Sequence, residues 1–387
     1  MNKKELELYI HIPFCVRKCS YCDFLSAPAT EQTKEAYMAA LFAEIGGRAK
    51  DYSDRTVTSI FIGGGTPSLL SGEQIGQLMD RIREQFAMAQ DAEITMEVNP
   101  GTASAEKLRN FYTAGINRLS IGMQSAQAEE LKNLGRIHDF EGFCQVYREA
   151  VEAGFTNINV DIMSGLPGQT LASYRDTLEK VLHLEPMPQH ISAYSLIVEE
   201  GTTFAAMAER GELPLPEEET ERAMYEETIE VLAKYGFHRY EISNYARDGY
   251  ECRHNVGYWI RRDYLGFGIG AASLIDNVRF QNEKSLGAYL AHPLESREEE
   301  QTLTVQDRME ETMFLGLRLT RGVSCVDFAE QYGRTVEEVY GEVIARNVAD
   351  GLLTVTERKE NQKKDRFLAL TKRGLDLSNY VMAQFLF

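Results

Sequence analysis

Long apolar runs are missing from this 387-residue chain. No stretch approaches the ~20 apolar residues that a membrane-spanning helix needs, so a spanning protein is not expected. The opening MNKKELELYIHIPF has a charged start but an apolar run of only a few residues, too short for a secretory signal. The reading is cytoplasmic, with peripheral membrane contact left open. Basic residues are in deficit: 41 Lys and Arg against 59 Asp and Glu, a net charge of −18. Nucleic-acid binding draws on clustered Lys and Arg, so no nucleic-acid partner is expected. Tryptophan occurs once, at Trp259, and there is no low-complexity tract. Cysteine is sparse too, yet Cys15, Cys19 and Cys22 cluster while Cys144, Cys252 and Cys325 are scattered. Disulfide frameworks belong to small secreted domains. In a large chain without a secretion signal, a tight cluster points to metal or catalysis. Cys144 and Cys325 read as buried.

Chain length suggests a main domain plus a smaller one. From about residue 6 to residue 198, β-rich runs (LYIHIPF, TVTSIFIGG, EITMEVNP, RLSIGMQS, NINVDIMSGLP, HISAYSLIV) alternate with helical segments at 31–50, 71–86, 104–114, 139–153 and 170–184. In the last of these, Thr170 stands near the start and Leu171, Tyr174, Leu178 and Leu182 recur at helical spacing. Alternation of this kind predicts an α/β fold of βαβ units on a parallel sheet. Six units can close into a full or partial barrel, or stay open. Ligands of such folds sit at the carboxyl ends of the strands. Those ends read Phe14-Cys15, Gly63 to Thr66, Glu97 to Pro100, Gln124-Ser125, and Asp161 with Gly165. Residues 205–240 hold a charged helical stretch, a Gly-rich YLGFGIGAAS follows, and 291–301 reads as a linker. The last ~85 residues read as three helices, two strands around a charged turn, and a final helix. That order predicts a winged-helix-like unit with a packing or partner role. The expected domains are 1–290, with an extension over roughly 205–290, and 300–387.

Three closely spaced thiolates can hold a [4Fe-4S] cluster and leave one iron without a protein ligand. Zinc, with His11 or Asp23 as a fourth ligand, is the other reading of the cysteines alone. The spacing Cys15-x3-Cys19-x2-Cys22, with Tyr21 before the third cysteine and Gly63-Gly64-Gly65-Thr66-Pro67 after the next strand, resembles the radical S-adenosylmethionine superfamily. The longer string YIHIPFC…CSYCDF, with EVNP, SIGMQS, LGRIHD, DIMSGLPGQT and HNVGYW, is similar to one branch of it. That branch holds the anaerobic coproporphyrinogen III oxidases and their relatives, the haem chaperones. The resemblance implies a partial (β/α)6 barrel, a [4Fe-4S] cluster, and S-adenosylmethionine chelated at the open iron. It also implies an electron donor, not identified by the sequence, and reductive cleavage of the sulfonium to methionine and a 5′-deoxyadenosyl radical.

By that resemblance, cofactor contacts fall at Tyr9, Gly64, Gly65, Thr66, Glu97, Gln124, Arg136 and Asp161. Each suits a need of the cofactor. Gly64 and Gly65 let backbone approach, and Thr66 adds a hydroxyl for the ammonium. Arg136 suits a forked contact with the carboxylate. Glu97, Gln124 and Asp161 suit ribose hydroxyls, and Tyr9 can lean on cofactor or cluster. The oxidases of this branch usually carry CxxxCxxCxC, where this chain has Phe24, and tend to have a longer leader before the cluster. His254-Asn255-x2-Tyr258-Trp259 resembles the HNxxYW motif of the chaperones. The resemblance implies haem as cargo and apo-haem proteins as recipients, with oxidative decarboxylation of coproporphyrinogen III to protoporphyrinogen IX, or another radical reaction on a tetrapyrrole, as the alternative. For the haem iron, His254 and, as a rival, Cys252 are the candidate ligands beside a Tyr–Trp wall. The alternative is that His254 and Asn255 tie down a loop while Tyr258 and Trp259 pack the core. His11, His138 and His190 read as hydrogen-bonded structural residues near the site.

Overall fold

The computed structural model describes residues 4–360 and 363–386. Its first half repeats one unit. The strands are β1 (Lys4–Ile12), β2 (Arg55–Gly64), β3 (Ala87–Val98), β4 (Arg118–Gln124), β5 (Ile158–Ser164) and β6 (His190–Ser195). The helices between them are α1 (Glu31–Arg48), α2 (Gly72–Gln85), α3 (Ala105–Thr113), α4 (Ala128–Asn133), α5 (Phe140–Ala153) and α6 (Leu171–Leu182). The six strands pair in chain order, all parallel. Most of these helix starts have a local cause. Ser71, Ser104, Asp139 and Thr170 cap α2, α3, α5 and α6 by accepting a backbone N–H with the side chain. On α2, Ile75, Leu78, Met79 and Ile82 form the buried stripe. On α6 the buried stripe is Tyr174, Thr177, Leu178, Val181 and Leu182, while Leu171 stays half-buried.

The strands are buried on both faces, which parallel sheets covered by helices require. Their two faces differ, because side chains alternate with period two. Leu8, Ile10 and Ile12 of β1 join Ile60 and Ile62 of β2 and Ile94 and Met96 of β3 in the main core. The intervening residues are polar or aromatic. Glu7 pairs with Ser59 and Ser59 with Glu93, and Tyr9 pairs with Phe61. The barrel interior is therefore polar from bottom to top.

Past β6 come α7 (Thr203–Glu209), α8 (Glu218–Lys234), β7 (His238–Arg239), β8 (Asn244–Ala246) and α9 (Arg253–Trp259). Then follow β9 (Tyr264–Phe267), β10 (Ala272–Ile275), β11 (Val278–Asn282), α10 (Leu286–Ala291) and β12 (Arg297–Thr302). Strand β9 runs parallel to β1, and β10, β11 and β12 continue antiparallel from it; β8 and β7 extend the sheet beyond β6. Among the described residues the result is one open 12-stranded sheet containing a partial (β/α)6 barrel. The expected linker at 291–301 is corrected: Arg297–Thr302 is an edge strand on β11. All six of its residues are exposed, so no apolar alternation marked it. Glu298, Glu299 and Glu300 on such an edge oppose pairing with another chain.

The remaining residues form α11 (Val305–Gly316), β13 (Val323–Ser324), α12 (Cys325–Tyr332), α13 (Val336–Ala349), β14 (Leu353–Glu360), β15 (Lys363–Leu370), α14 (Lys372–Asp376) and α15 (Ser378–Ala383). Three helices and the three-stranded sheet β13-β15-β14 give the winged-helix-like order. The centre of the expected charged turn, residues 361–362, lies outside the described residues. This unit has its own core around Met313, Phe328, Tyr340, Leu368 and Phe385. It is joined to the sheet through Glu311, which is 5% exposed and takes Arg261 at 2.8 Å and Arg279 at 2.7 Å. Cys144 and Cys325 are half-buried rather than buried; Cys144 packs at the edge of the main core. No helix among the described residues is long and apolar enough to cross a membrane.

Candidate functional site

The carboxyl ends of β1 to β5 and the loop after β1 line one cavity. Cys15, Cys19, Cys22, Gly64, Gly65, Thr66, Glu97, Gln124, Arg136 and Asp161 all face it. The cysteine loop is held from both sides. Cys15 N–H donates to Ala27 O at 3.1 Å, and Ser20 N–H to Leu134 O at 3.0 Å. Arg17 donates to the carbonyls of Gly135 and Arg136, each at 2.8 Å. The loop is thus anchored to the segment that carries Arg136. Gly65 permits the close fit on the other side. A Cβ there would stand 2.7 Å from Phe14 O and 3.0 Å from Ile12 O, backbone atoms that cannot step aside.

The thiols share a pocket without converging on one point: no three His, Cys, Asp or Glu side chains among the described residues are disposed to hold a single metal ion. His11 donates or accepts at both ring nitrogens, to Tyr9 Oη at 3.0 Å and Leu25 O at 2.9 Å, so it is not a free zinc ligand. Thiolates on a cluster bind different irons, and the donor set suits that group. Thr66 Oγ1 donates toward Cys15 Sγ at 3.5 Å. Burial pushes the Cys22 thiol up.

The cofactor side of the pocket is polar and incompletely satisfied. Arg136 donates to Gly122 O at 2.6 Å, while its Nε has no partner among the described residues. Burial, then the neighbouring Asp161, raises the Glu97 carboxyl to about 8, although Gly64 N–H donates to it at 3.0 Å. Asp161 is raised by burial as well, against Asn159 Nδ2 donating at 2.7 Å and Ser120 Oγ at 3.3 Å. Gln124 holds a φ of +68°, a conformation costly for a non-glycine residue and concentrated at functional sites. It ends β4 beside a register shift against β5 that turns its side chain into the pocket. Ser120, Asn159 and Tyr21 belong to this site and were not singled out as site residues. Their signal was the strand alternation that places Ser120 opposite both Glu97 and Asn159.

Tyr9 is separate. It lines a neighbouring cavity, which shares Phe24, Gly64 and Glu97 with the first. His138 bonds Met123 O at 3.2 Å, and His190 lies between Asn159 and Tyr240, the structural roles expected of them.

His254 and Cys252, the candidate haem ligands, have protein partners in this structure. Both are buried, at 1% and 0% exposure. His254 Nδ1 bonds Ser59 Oγ at 2.9 Å and Nε2 bonds Tyr258 Oη at 3.0 Å, leaving no lone pair for a metal. Glu93 accepts from the backbone N–H of Arg253 and His254 and from Cys252 Sγ. The HNVGYW helix α9 is therefore a plug in the barrel, seated on Glu7, Ser59 and Glu93. Tyr258 and Trp259 reach the cavity that Tyr9 lines, and Arg253 and Val256 line another.

Burial, with the Arg118 and Arg262 charges behind it, lowers His254 to about 3. Its unfolded value is near 6.5, so below that pH the unfolded chain binds a proton that the folded chain refuses. Stability is lost through this group as pH falls from about 6.5 toward 3. Unfolding titrations at pH about 7 and about 4 should show a shallower acid loss for His254→Gln than for wild type.

Residues 9–181 match the family model described as Radical SAM superfamily, and residues 303–377 match HemN C-terminal domain. The Bacillus subtilis (strain 168) protein named Heme chaperone HemW is 38% identical over 385 residues, spanning 98% of each chain. The chain belongs to the HemW family of radical SAM proteins. The Escherichia coli (strain K12) HemW is 37% identical over 358 residues, 90% of this chain and 92% of its own. Among solved structures, Escherichia coli coproporphyrinogen III oxidase, HemN, described as a radical SAM enzyme, matches 99% of this chain and 90% of its own with a TM-score of 0.84 at 27% identity. Membership of the superfamily implies a [4Fe-4S] cluster and S-adenosylmethionine.

Proposed function

We propose that this chain is a haem chaperone: it binds haem and delivers it to apo-haem proteins, with a [4Fe-4S] cluster and S-adenosylmethionine as resident groups. The observation that carries the reading is similarity to haem chaperones along the whole chain, not along the barrel alone. Phe24 agrees with it, standing exposed where the oxidases of the branch place a further cysteine.

In this reading Cys15, Cys19 and Cys22 hold the cluster. Thr66 and Arg136 direct donors at the Cys15 and Cys19 sulfurs, which stabilises thiolate charge. When bound, cluster and cofactor supply reductive cleavage of the sulfonium. Arg136, which lines the pocket, takes the cofactor carboxylate. Gly64, Gly65 and Thr66 present backbone and hydroxyl to the ammonium, and Glu97, Gln124 and Asp161 accept from ribose hydroxyls. Tyr9 braces the floor through His11. An electron donor of unassigned identity completes the reduced state. Arg136→Ala should weaken S-adenosylmethionine binding about tenfold or more, read by equilibrium binding on the reconstituted protein.

Oxidative decarboxylation of coproporphyrinogen III is the second reading, favoured by the HemN likeness. Anaerobic incubation of the reduced protein with S-adenosylmethionine and coproporphyrinogen III separates the two. The chaperone reading expects the porphyrinogen to keep its carboxyl groups. Loss of two per molecule, matched by methionine and 5′-deoxyadenosine, would make the protein an oxidase.

A further inference from the structure

Asp161 faces the cofactor pocket, but what holds it lies behind the sheet ends. Asn159 stands two residues earlier on β5, so both side chains leave the same face of the strand. Asn159 Nδ2 donates to Asp161 Oδ1 at 2.7 Å and to Ser120 Oγ at 2.8 Å. Ser120 Oγ in turn lies 3.3 Å from the other carboxylate oxygen, Oδ2. The next strand supplies the support. His190 opens β6 directly opposite Asn159, and its Nδ1 is 2.6 Å from Asn159 Oδ1. Its Nε2 is 2.9 Å from Tyr240 Oη, which accepts the backbone N–H of Cys252 at 3.3 Å. His190 and Asn159 are buried, at 0% and 1% exposure, and His190 does not line the cofactor pocket.

The direction of each bond in this chain follows from the last. Burial, then the Arg118 charge, holds His190 well below its ordinary value, so the ring is neutral, with one N–H and one lone pair. An ionised Asp161 can only accept, which turns the Asn159 amide so that Nδ2 faces it and Oδ1 faces His190. Asn159 Oδ1 then needs a donor, and His190 Nδ1–H supplies it. Nε2 is left as the acceptor of the Tyr240 hydroxyl. Ser192 Oγ donates to the same Asn159 oxygen at 3.1 Å. Networks of this kind, with every member satisfied, fix one geometry, and a first contact held by such a chain is placed more precisely than one held by solvent.

We propose that His190 is a positioning residue for the cofactor: through the amide of Asn159 it keeps the Asp161 carboxylate turned as an acceptor for the ribose hydroxyls of S-adenosylmethionine. The inference rests on the reading of Asp161 given above and adds the residues that aim it. Tyr240 sets the ring from behind, so a residue of the extension past β6 acts on a pocket built by the barrel strands.

The test is equilibrium binding of S-adenosylmethionine to the full-length reconstituted protein. His190→Leu removes the donor to Asn159 and should weaken binding about tenfold. His190→Asn places an amide N–H where Nδ1–H stands and should bind as wild type does. An analogue whose ribose lacks both hydroxyls should bind wild type and His190→Leu alike, which a general loosening of the barrel would not produce. Melting temperature and cluster absorption report the fold. Where His190→Leu does not fold, Asn159→Ala carries the test, with the same loss for S-adenosylmethionine and none for the analogue. Wild-type affinity for S-adenosylmethionine in His190→Leu or Asn159→Ala, or an equal loss for the analogue, would overturn the positioning role. Wild-type affinity in Asp161→Asn would overturn the reading of Asp161 itself, and the inference with it.

Discussion

Cys19→Ser is expected to abolish the iron–sulfur absorption of the anaerobically reconstituted protein and, with it, tight S-adenosylmethionine binding. The reason is the donor count. Three thiols face the pocket, and each is needed to hold the cluster. A cluster held by three thiolates has no reserve ligand, and serine is a poor substitute for a soft thiolate. Loop folding should survive, because it rests on Ser20 N–H, Cys15 N–H and the Arg17 guanidinium rather than on the Cys19 side chain. Iron and sulfide analysis beside circular dichroism separates loss of cluster from loss of fold. A Cys19→Ser protein with full iron content would contradict the ligand assignment.

Gly257→Ala is expected to be the most destabilising single-methyl change in the HNVGYW segment. A Cβ at Gly257 would overlap the carboxylate of Glu7, which is wholly buried. Glu7 cannot swing away freely, since it is held by Arg262 at 3.1 Å inside the barrel. Either α9 shifts or the ion pair breaks. Overpacking of this kind costs about 1–3 kcal/mol, and a broken buried pair costs more. The melting temperature should fall by roughly 3–10 °C. The helix shift would also move Tyr258 and Trp259, while the cysteine loop, anchored to Ala27, Leu134 and the Gly135 and Arg136 carbonyls, keeps its cluster. An unchanged melting temperature would mean that α9 is not seated as a plug.

The sequence announced the site better than it announced what lies beneath it. Cys15, Gly64, Glu97, Gln124 and Asp161 were legible because successive strand ends of a parallel fold must meet, and each end carried polar residues or glycine. The helices were legible from caps and apolar stripes, as at Ser71 and Thr170. The surroundings of His254 were not legible, because its motif gives spacing only. The ring is consumed by Ser59 and Tyr258, contacts set by the register of β1, β2 and β3. A signal was present in Glu7-Leu8-Tyr9-Ile10-His11-Ile12, where every second residue of a doubly buried strand is polar or aromatic. That alternation requires a polar barrel interior and something to satisfy it, and α9 does so. The strand Arg297–Thr302 left no comparable trace, because both of its faces meet water.

Delivery of haem is read from transfer to a recipient. The reconstituted protein, loaded with haem and freed of excess, is mixed with an apo-haem protein whose holo spectrum differs. The recipient is expected to acquire haem faster than from the same haem on an unrelated acidic protein. Haem that stays with the chain, or that leaves no faster than from the unrelated carrier, would contradict it.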